Sequence, residues 1–338
     1  MQLKPIDQQV VVVMGASSGI GREAAKRFAQ RGAKVVVAAR NQDGLETLVR
    51  EIRERGGVAS PVVADVTDFA QVKAAADEAV EQYGRLDTWA HVAGVSLYAT
   101  FDEVTPEEFK RVIEVNLVGQ AYGAMAALPH LKREGRGALI HVSSIESQLS
   151  FPYQSAYAAS KHGIPGFLDA LRLELRHEGM PISVTNIMPA AINTPLFDKA
   201  RTKLGVKPAV PPPVYQPGTV ADQIVYAAEH PVRDMIAGGA GKMFIQTQRI
   251  SPALMDALML LAGFESQKTD EPKSVDGPNN LFAPIAGQNR VEGDFGQIAL
   301  DRSLYNWLGR HPYVRRSLAG AALGVATLLS VRAASAGR

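Results

Sequence analysis

Tyr157 and Lys161 stand four residues apart in Ser155-Ala156-Tyr157-Ala158-Ala159-Ser160-Lys161. On a helix this spacing puts a phenol and an ammonium on one face, one turn apart. A phenol near its reference pKa of roughly 10 carries protons poorly at neutral pH, and a nearby cation stabilises its phenolate. Such a pair can serve as acid or base at an alcohol or carbonyl oxygen. Negative charge developing on that oxygen calls for a further donor, and Ser144 supplies a hydroxyl upstream. Solvated helix faces also carry Tyr and Lys at this spacing, so the surrounding elements have to agree.

Val10-Val11-Val12-Val13-Met14 reads as a buried strand, followed by Gly15-Ala16-Ser17-Ser18-Gly19-Ile20-Gly21 and a helical pattern from Arg22 to Arg31. Strand, glycine turn and helix in that order bring backbone N–H groups and a helix N-terminus to a pyrophosphate. The spacing is Gly-x3-Gly-x-Gly, which shares its mechanism with the Gly-x-Gly-x2-Gly fingerprint without being that fingerprint. The next strand, Lys34 to Ala38, leads to Ala39-Arg40. An acid there would accept from a ribose 2′-hydroxyl, whereas Arg40 suits a 2′-phosphate. NADP(H) is therefore favoured over NAD(H), the alternative being that Arg40 is a solvated loop residue.

Apolar strand-length runs alternate with helical stretches: Val10–Met14, Lys34–Ala38, Val58–Val63, Thr88–Val92, Ala138–Val142, Ser183–Ile187 and Lys242–Ile245. The series predicts an α/β fold, a three-layer doubly wound parallel sheet of Rossmann type with its ligand at the carboxyl ends of the strands. Gly15 to Gly21, Arg40, Asp65-Val66, Ala93-Gly94, Ser143-Ser144 and Pro189 each follow a proposed strand, so they converge on one edge. Thr105-Pro106-Glu107-Glu108 is a capping box with proline at the first helical position, which places Asn116 inside the helix that follows.

The 338 residues, 46% hydrophobic and of formal net charge +2, fit a soluble enzyme. No basic cluster interleaves with aromatics, so nucleic acid is not an expected partner. Without cysteine there is no disulfide and no thiolate ligand or nucleophile, and no metal site is expected. The N-terminus has no charged segment leading into an apolar core, so cytoplasmic residence is the expectation.

Together these motifs resemble the short-chain dehydrogenase/reductase family over roughly Gln8 to Thr247. The resemblance rests on Gly15-x3-Gly19-x-Gly21, Asp65, Asn116, Ser144, Tyr157-x3-Lys161, and Pro189 followed by Thr194. It implies Tyr157 as the acid or base and Ser144 as a hydrogen-bond partner of the same oxygen. Lys161 would bind the nicotinamide ribose and lower the Tyr157 pKa, while the backbone of Asn116 would hold a water leading to solvent. It also implies cofactor contacts at Gly15, Ser17, Ser18, Gly19, Ile20, Gly21, Arg40, Asp65, Val66, Ala93, Gly94, Pro189, Ile192 and Thr194, and a homodimer or homotetramer. Plainer readings remain open for three residues: Asn116 as an amide fastening neighbouring helices, Ser144 as a loop hydroxyl, and Asp65 as a turn former. The chain departs from the family pattern at His91-Val92, where two asparagines are usual, at Met14, where threonine is usual, and at Pro165, which is expected to kink the catalytic helix. His91 is expected to be a core residue bonded to backbone.

Residues 195–217 read as a substrate lid. Lys199, Arg201, Lys203 and Lys207 would make it either a solvated basic loop or a feature favouring an anionic substrate, with Ser150, Phe151, Tyr153 and Gln154 on the opposite wall. Residues 248–338 extend beyond the family domain 1–247 and end in the apolar run Leu318 to Val331. That run is short against the roughly 20 residues of a membrane span. Docking on the core or a neighbouring subunit is favoured over membrane contact through the tail. The expected activity is NADP(H)-dependent interconversion of an alcohol and a ketone or aldehyde. The alternative from another class is a cofactor-binding regulatory or tethered protein with little turnover.

Overall fold

In the computed structural model, which describes residues 1–311 with 313, 314 and 317, the valine run is strand β1 (Val10–Met14), buried throughout. The chain continues through α1 (Gly19–Gln30), β2 (Lys34–Ala39), α2 (Gln42–Glu54), β3 (Val58–Val63), α3 (Phe69–Tyr83) and β4 (Thr88–His91). A short β5 (Leu97–Tyr98) precedes α4 (Pro106–Ile113), α5 (Gly119–Arg133), β6 (Gly137–Val142), α6 (Ser155–His177) and β7 (Ile182–Pro189). The lid holds α7 (Leu196–Lys199), β8 (Arg201–Thr202), β9 (Val206–Pro208) and β10 (Val214–Tyr215), and α8 (Pro217–Glu229) and β11 (Asp234–Ala237) complete the main sheet.

Seven parallel strands lie in the order β11-β7-β6-β4-β1-β2-β3. Alternate residues serve opposite faces: Val11, Val13, Val35 and Val37 join one core with Phe28 and Leu48, while Val10, Val12, Met14 and Val36 join another with Trp89 and Leu139. A sheet covered on both faces by helices is the expected three-layer arrangement. The strand order reverses between β1 and β4, where Met14 pairs with both Ala38 and His91, and His91 with His141. The residues that follow these positions therefore leave the sheet side by side, at the switch point where such sheets bind ligands.

One strand prediction fails. Lys242–Ile245 is part of helix α9 (Gly239–Ile250), and the seventh strand is β11. Gly241 and Ile245 are buried while Met243 is 62% exposed, a helical rather than an alternating pattern. The true strand was hidden because it is a short edge strand exposed at its first residue. Helix α6 runs unbroken through Pro165. The capping box forms in full: Glu108 N donates to Thr105 Oγ1 at 3.2 Å, and Thr105 N donates to Glu108 Oε2 at 3.1 Å.

The extension is knitted into the lid. After α10 (Pro252–Leu258), β12 (Lys268–Pro272) pairs antiparallel with β9, and β13 (Ala299–Leu300) pairs parallel with β10, ahead of α11 (Leu304–Arg310). Among the described residues no helix is long and apolar enough to cross a membrane. The run 318–331 lies outside the described residues.

Candidate active site

A glycine turn makes the floor of the cleft at the switch point. Gly15 has φ +91°, and a Cβ there would lie 2.5 Å from Ala93 N; a Cβ on Gly21 would meet the Gly15 carbonyl at 2.2 Å. Both positions thus require glycine for the turn to close against the next strand and the helix. Ile20 and Gly21 open α1, where first-turn N–H groups lack a partner within the helix. These features fit a dinucleotide pyrophosphate.

The cleft is lined by Gly15, Ser17, Ser18, Gly19, Ile20, Gly21, Arg40, Val66, Ala93, Gly94, Ser144, Tyr157, Lys161, Pro189, Ile192 and Thr194, all singled out in the sequence. Asp65 and Asn116 do not line it. Asp65 forms the turn of the plainer reading, accepting from Thr67 N at 3.0 Å and from Arg111 at 2.8 Å. Asn116 sits in a π-helical turn, Glu114–Val118, between α4 and α5. Its amide accepts from Val95 N at 2.8 Å and donates to Val95 O at 2.9 Å and Ser160 Oγ at 3.1 Å, fastening the loop after β4 to α6. An inserted turn of this kind re-aims a side chain within a helix.

Tyr157 and Lys161 lie on α6 as expected, with the ammonium 5.5 Å from the centre of the phenol ring. Lys161 is buried and donates to the Val142 carbonyl at 3.2 Å; burial pushes its pKa down to about 8, with Glu146 opposing. The Tyr157 phenol is pushed up, chiefly by burial and then by Glu146, while a hydrogen bond with Ser144 pulls it down. Lys161, itself pushed down by burial, is not among the groups that set this balance. His91 is buried in the sheet, stacked on His141 with ring centres 5.9 Å apart, and its Nδ1 accepts from Trp89 Nε1 at 3.4 Å rather than meeting backbone. Burial, then His141 and Lys161, keep it well below the usual histidine range, so it is neutral.

Three groups in the cleft make contacts that sequence reasoning did not foresee. Glu146, two residues past Ser144, is 5% exposed, and its Oε2 has no hydrogen-bond partner. Leaving such an atom unpaired costs about 1–3 kcal/mol. Burial pushes the carboxyl up to about 8, against the Phe151 N–H and Lys161. A folded pKa raised from 4.5 gives stability that is lost as pH rises through that window. Glu146→Gln is therefore expected to melt progressively higher relative to the unmodified protein as pH goes from 5 to 8; a constant difference in thermal unfolding would mean the carboxyl is not buried as an acid.

Lys199 is the second group. It donates to Ser18 Oγ at 2.9 Å, on the cofactor side of the cleft, with its pKa pushed down to about 8 by burial. The other lid cations are also engaged. Arg201 and Lys203 pair with Glu108, and Lys207 with Asp198 and Asp294. The lid is thus no solvated basic loop: three of its cations are paired with carboxylates, and Lys199 lines the cleft. Phe151 and Gln154 line the cleft as expected, whereas Ser150 and Tyr153 face a separate shallow hollow with Phe151.

The third group is a strap, residues 279–290, laid across the end of the cleft where Gly19, Arg40 and Asn41 lie. Arg40 donates to the carbonyls of Asn280 at 2.6 Å and Phe282 at 3.1 Å, Asn41 to that of Ile285 at 2.9 Å, and Gly19 N to that of Arg290 at 3.0 Å. Leu281 is fully buried in the core and anchors it. No periodicity marks such a segment, because its carbonyls rather than its side chains make these contacts.

A family model described as short chain dehydrogenase matches residues 9–205. The chain is 37% identical over 316 residues to an uncharacterized oxidoreductase, YxnA, of Bacillus subtilis, covering 93% of this chain and 88% of that one. It is 33% identical over 271 residues to dehydrogenase/reductase SDR family member 7B of Bos taurus, covering 77% and 83%. Among solved structures, an actinorhodin polyketide ketoreductase variant with NADPH superposes with TM-score 0.61 at 29% identity over 70% of this chain and 97% of that one. An alcohol dehydrogenase from Thermococcus sibiricus, complexed with 5-hydroxy-NADP, gives 0.59 at 25% identity over 68% and 95%.

Proposed function

The chain belongs to the short-chain dehydrogenase/reductase family of oxidoreductases, and we propose that it reduces a ketone or aldehyde to the alcohol with NADP(H), Tyr157 giving the proton. The observation that carries this reading is the convergence of Ser144, Tyr157 and Lys161 with the glycine turn on one cleft. Bound there, the nicotinamide supplies the hydride. Ser144 and Tyr157 then serve as donors to the oxygen on which charge develops. The alkoxide so formed is more basic than a phenolate, so proton transfer from Tyr157 runs downhill even with its pKa pushed up. Lys161, over the Tyr157 ring, would bring positive charge to the site and bind the ribose hydroxyls. Asn116 acts as a positioning residue, holding the loop after β4 against α6.

NADP(H) over NAD(H) rests on Arg40, with Ala39 in place of an acid. The 2′-phosphate would take over donors that Arg40 now gives to the strap carbonyls. Arg40→Ala is expected to weaken NADPH by about 1–3 kcal/mol, the scale of a charge-assisted contact, with little change for NADH. Equal losses for both in a binding titration would remove the phosphate role. The activity itself is tested by following NADPH absorbance with aldehydes, ketones and quinones of graded size and charge. Turnover of any of them establishes the reductase, while tight NADPH binding without turnover favours the regulatory alternative.

A further inference from the structure

Glu146 has no part in the proton transfer, yet it stands beside it. It follows Ser144 in the turn Ile145–Ser147, and its N–H donates to Ser144 Oγ at 3.1 Å. Its carboxyl lines the cleft that holds Ser144 and Tyr157, with Oε2 buried and unpartnered. Tyr98, Tyr157 and Lys161 are the titratable groups that act on it or feel its charge. The same cleft carries apolar side chains, among them Phe151, Phe244, Val210 and Ala190. A buried carboxyl oxygen left without a partner in such a cleft is the arrangement of a site whose ligand completes the hydrogen bonding.

Resting on the reductase reading above, we propose that Glu146 is a specificity-determining residue whose Oε2 hydrogen-bonds a hydroxyl on the substrate, next to the carbonyl that Ser144 and Tyr157 receive. A hydroxyl suits both forms of the side chain, accepting from the acid and donating to the carboxylate. Burial holds the carboxyl up at about 8, so the acid prevails at pH 7. A substrate carboxylate or phosphate at this position would meet a repelling anion above that pH. Three of the lid cations are paired with Glu108, Asp198 and Asp294, and the fourth, Lys199, is held by Ser18 at the glycine turn. The substrate class that satisfies Oε2 in either protonation state is the hydroxyketones.

The test compares kcat/KM for an aryl methyl ketone, its hydroxymethyl analogue and the corresponding keto acid, in the unmodified protein and in Glu146→Leu and Glu146→Gln. Affinities of the matching diol and mono-alcohol are measured in parallel by intrinsic fluorescence. The unmodified protein is expected to prefer the hydroxymethyl ketone by about tenfold, the scale of one hydrogen bond. Glu146→Leu is expected to bring that ratio close to one, and Glu146→Gln to keep part of it, since an amide also donates and accepts. Should the leucine variant not fold, Glu146→Ala gives the same ratio. A preference that survives in Glu146→Leu, or is missing from the unmodified protein, overturns the assignment. If no ketone is turned over, the reductase reading fails by itself, and tighter binding of the diol that is lost in Glu146→Leu still upholds Glu146. Equal affinities for the two alcohols overturn it.

Discussion

Tyr157→Phe is expected to lower turnover by about 10²–10⁴ while leaving dinucleotide affinity nearly as it was, the loss being that of one general acid. The substitution removes a single hydroxyl from a half-buried side chain on a helix whose first turns pack against the loop after β4. Lys161 keeps its bond to Val142 and Ser144 keeps its bond from Glu146, so the cleft should retain its shape. Ser144 and the bound carbonyl would be left without a proton source, and the remaining rate would come from positioning and from water. Initial rates with NADPH, set beside a binding titration of NADPH, separate the two effects. Turnover unchanged within a factor of two would take Tyr157 out of the mechanism, whatever the cofactor affinity.

The second large effect is expected at Leu281, far from the reacting atoms in sequence. Its side chain is fully buried in the core on the face of the sheet that holds Trp89 and Val115, and Arg111 donates to its carbonyl at 3.1 Å. Leu281→Ala removes the apolar anchor between the two carbonyls that Arg40 binds. A buried leucine cut back to alanine costs about 2–5 kcal/mol. The contacts on either side of it are hydrogen bonds at a partly exposed guanidinium, so this loss should open the strap before it unfolds the sheet. The open fraction would rise roughly 30-fold or more for the lower figure. Limited proteolysis should then cut within residues 279–290 correspondingly faster, and the dinucleotide should dissociate faster as well. A cleavage rate equal to that of the unmodified chain would mean that the strap is pinned elsewhere.

These two residues mark the reach of the sequence. Tyr157 was legible because its chemistry comes with a spacing, and because valine runs such as Val10 to Val13 announce strands that end where the motifs begin. Every turn motif placed on the carboxyl edge of the sheet is found on that edge, since a parallel strand leaves one direction for the chain to emerge. Leu281 and Glu146 were not legible. Each is a single residue in an irregular stretch, and its burial depends on partners hundreds or tens of residues away. Lys242 to Ile245 was misread for the opposite reason: four apolar-rich residues satisfy a strand and one helical turn equally well. Arg40 lines the cleft on which the sequence placed it, but the carbonyls it meets there carry no side-chain signature. The lid cations were visible as charges, yet their partners Glu108, Asp198 and Asp294 are spread over the chain, so pairing could not be told from exposure.

The strap also bears on the order in which the molecule is assembled. Its bonds to Arg40 close loops of 240 and 242 residues, and the bond from Gly19 reaches to Arg290. Closures of that span come late, because the chain entropy they consume is repaid only once the intervening structure exists. A nascent chain can thus pair β1 with β2 long before the end of the cleft at Gly19 and Arg40 is finished. Pulse-labelled hydrogen exchange during refolding should see the amides of β1 protected first and that of Gly19 later, so that the enzyme would acquire its sheet early and its complete nucleotide seat as one of the last events of its biogenesis.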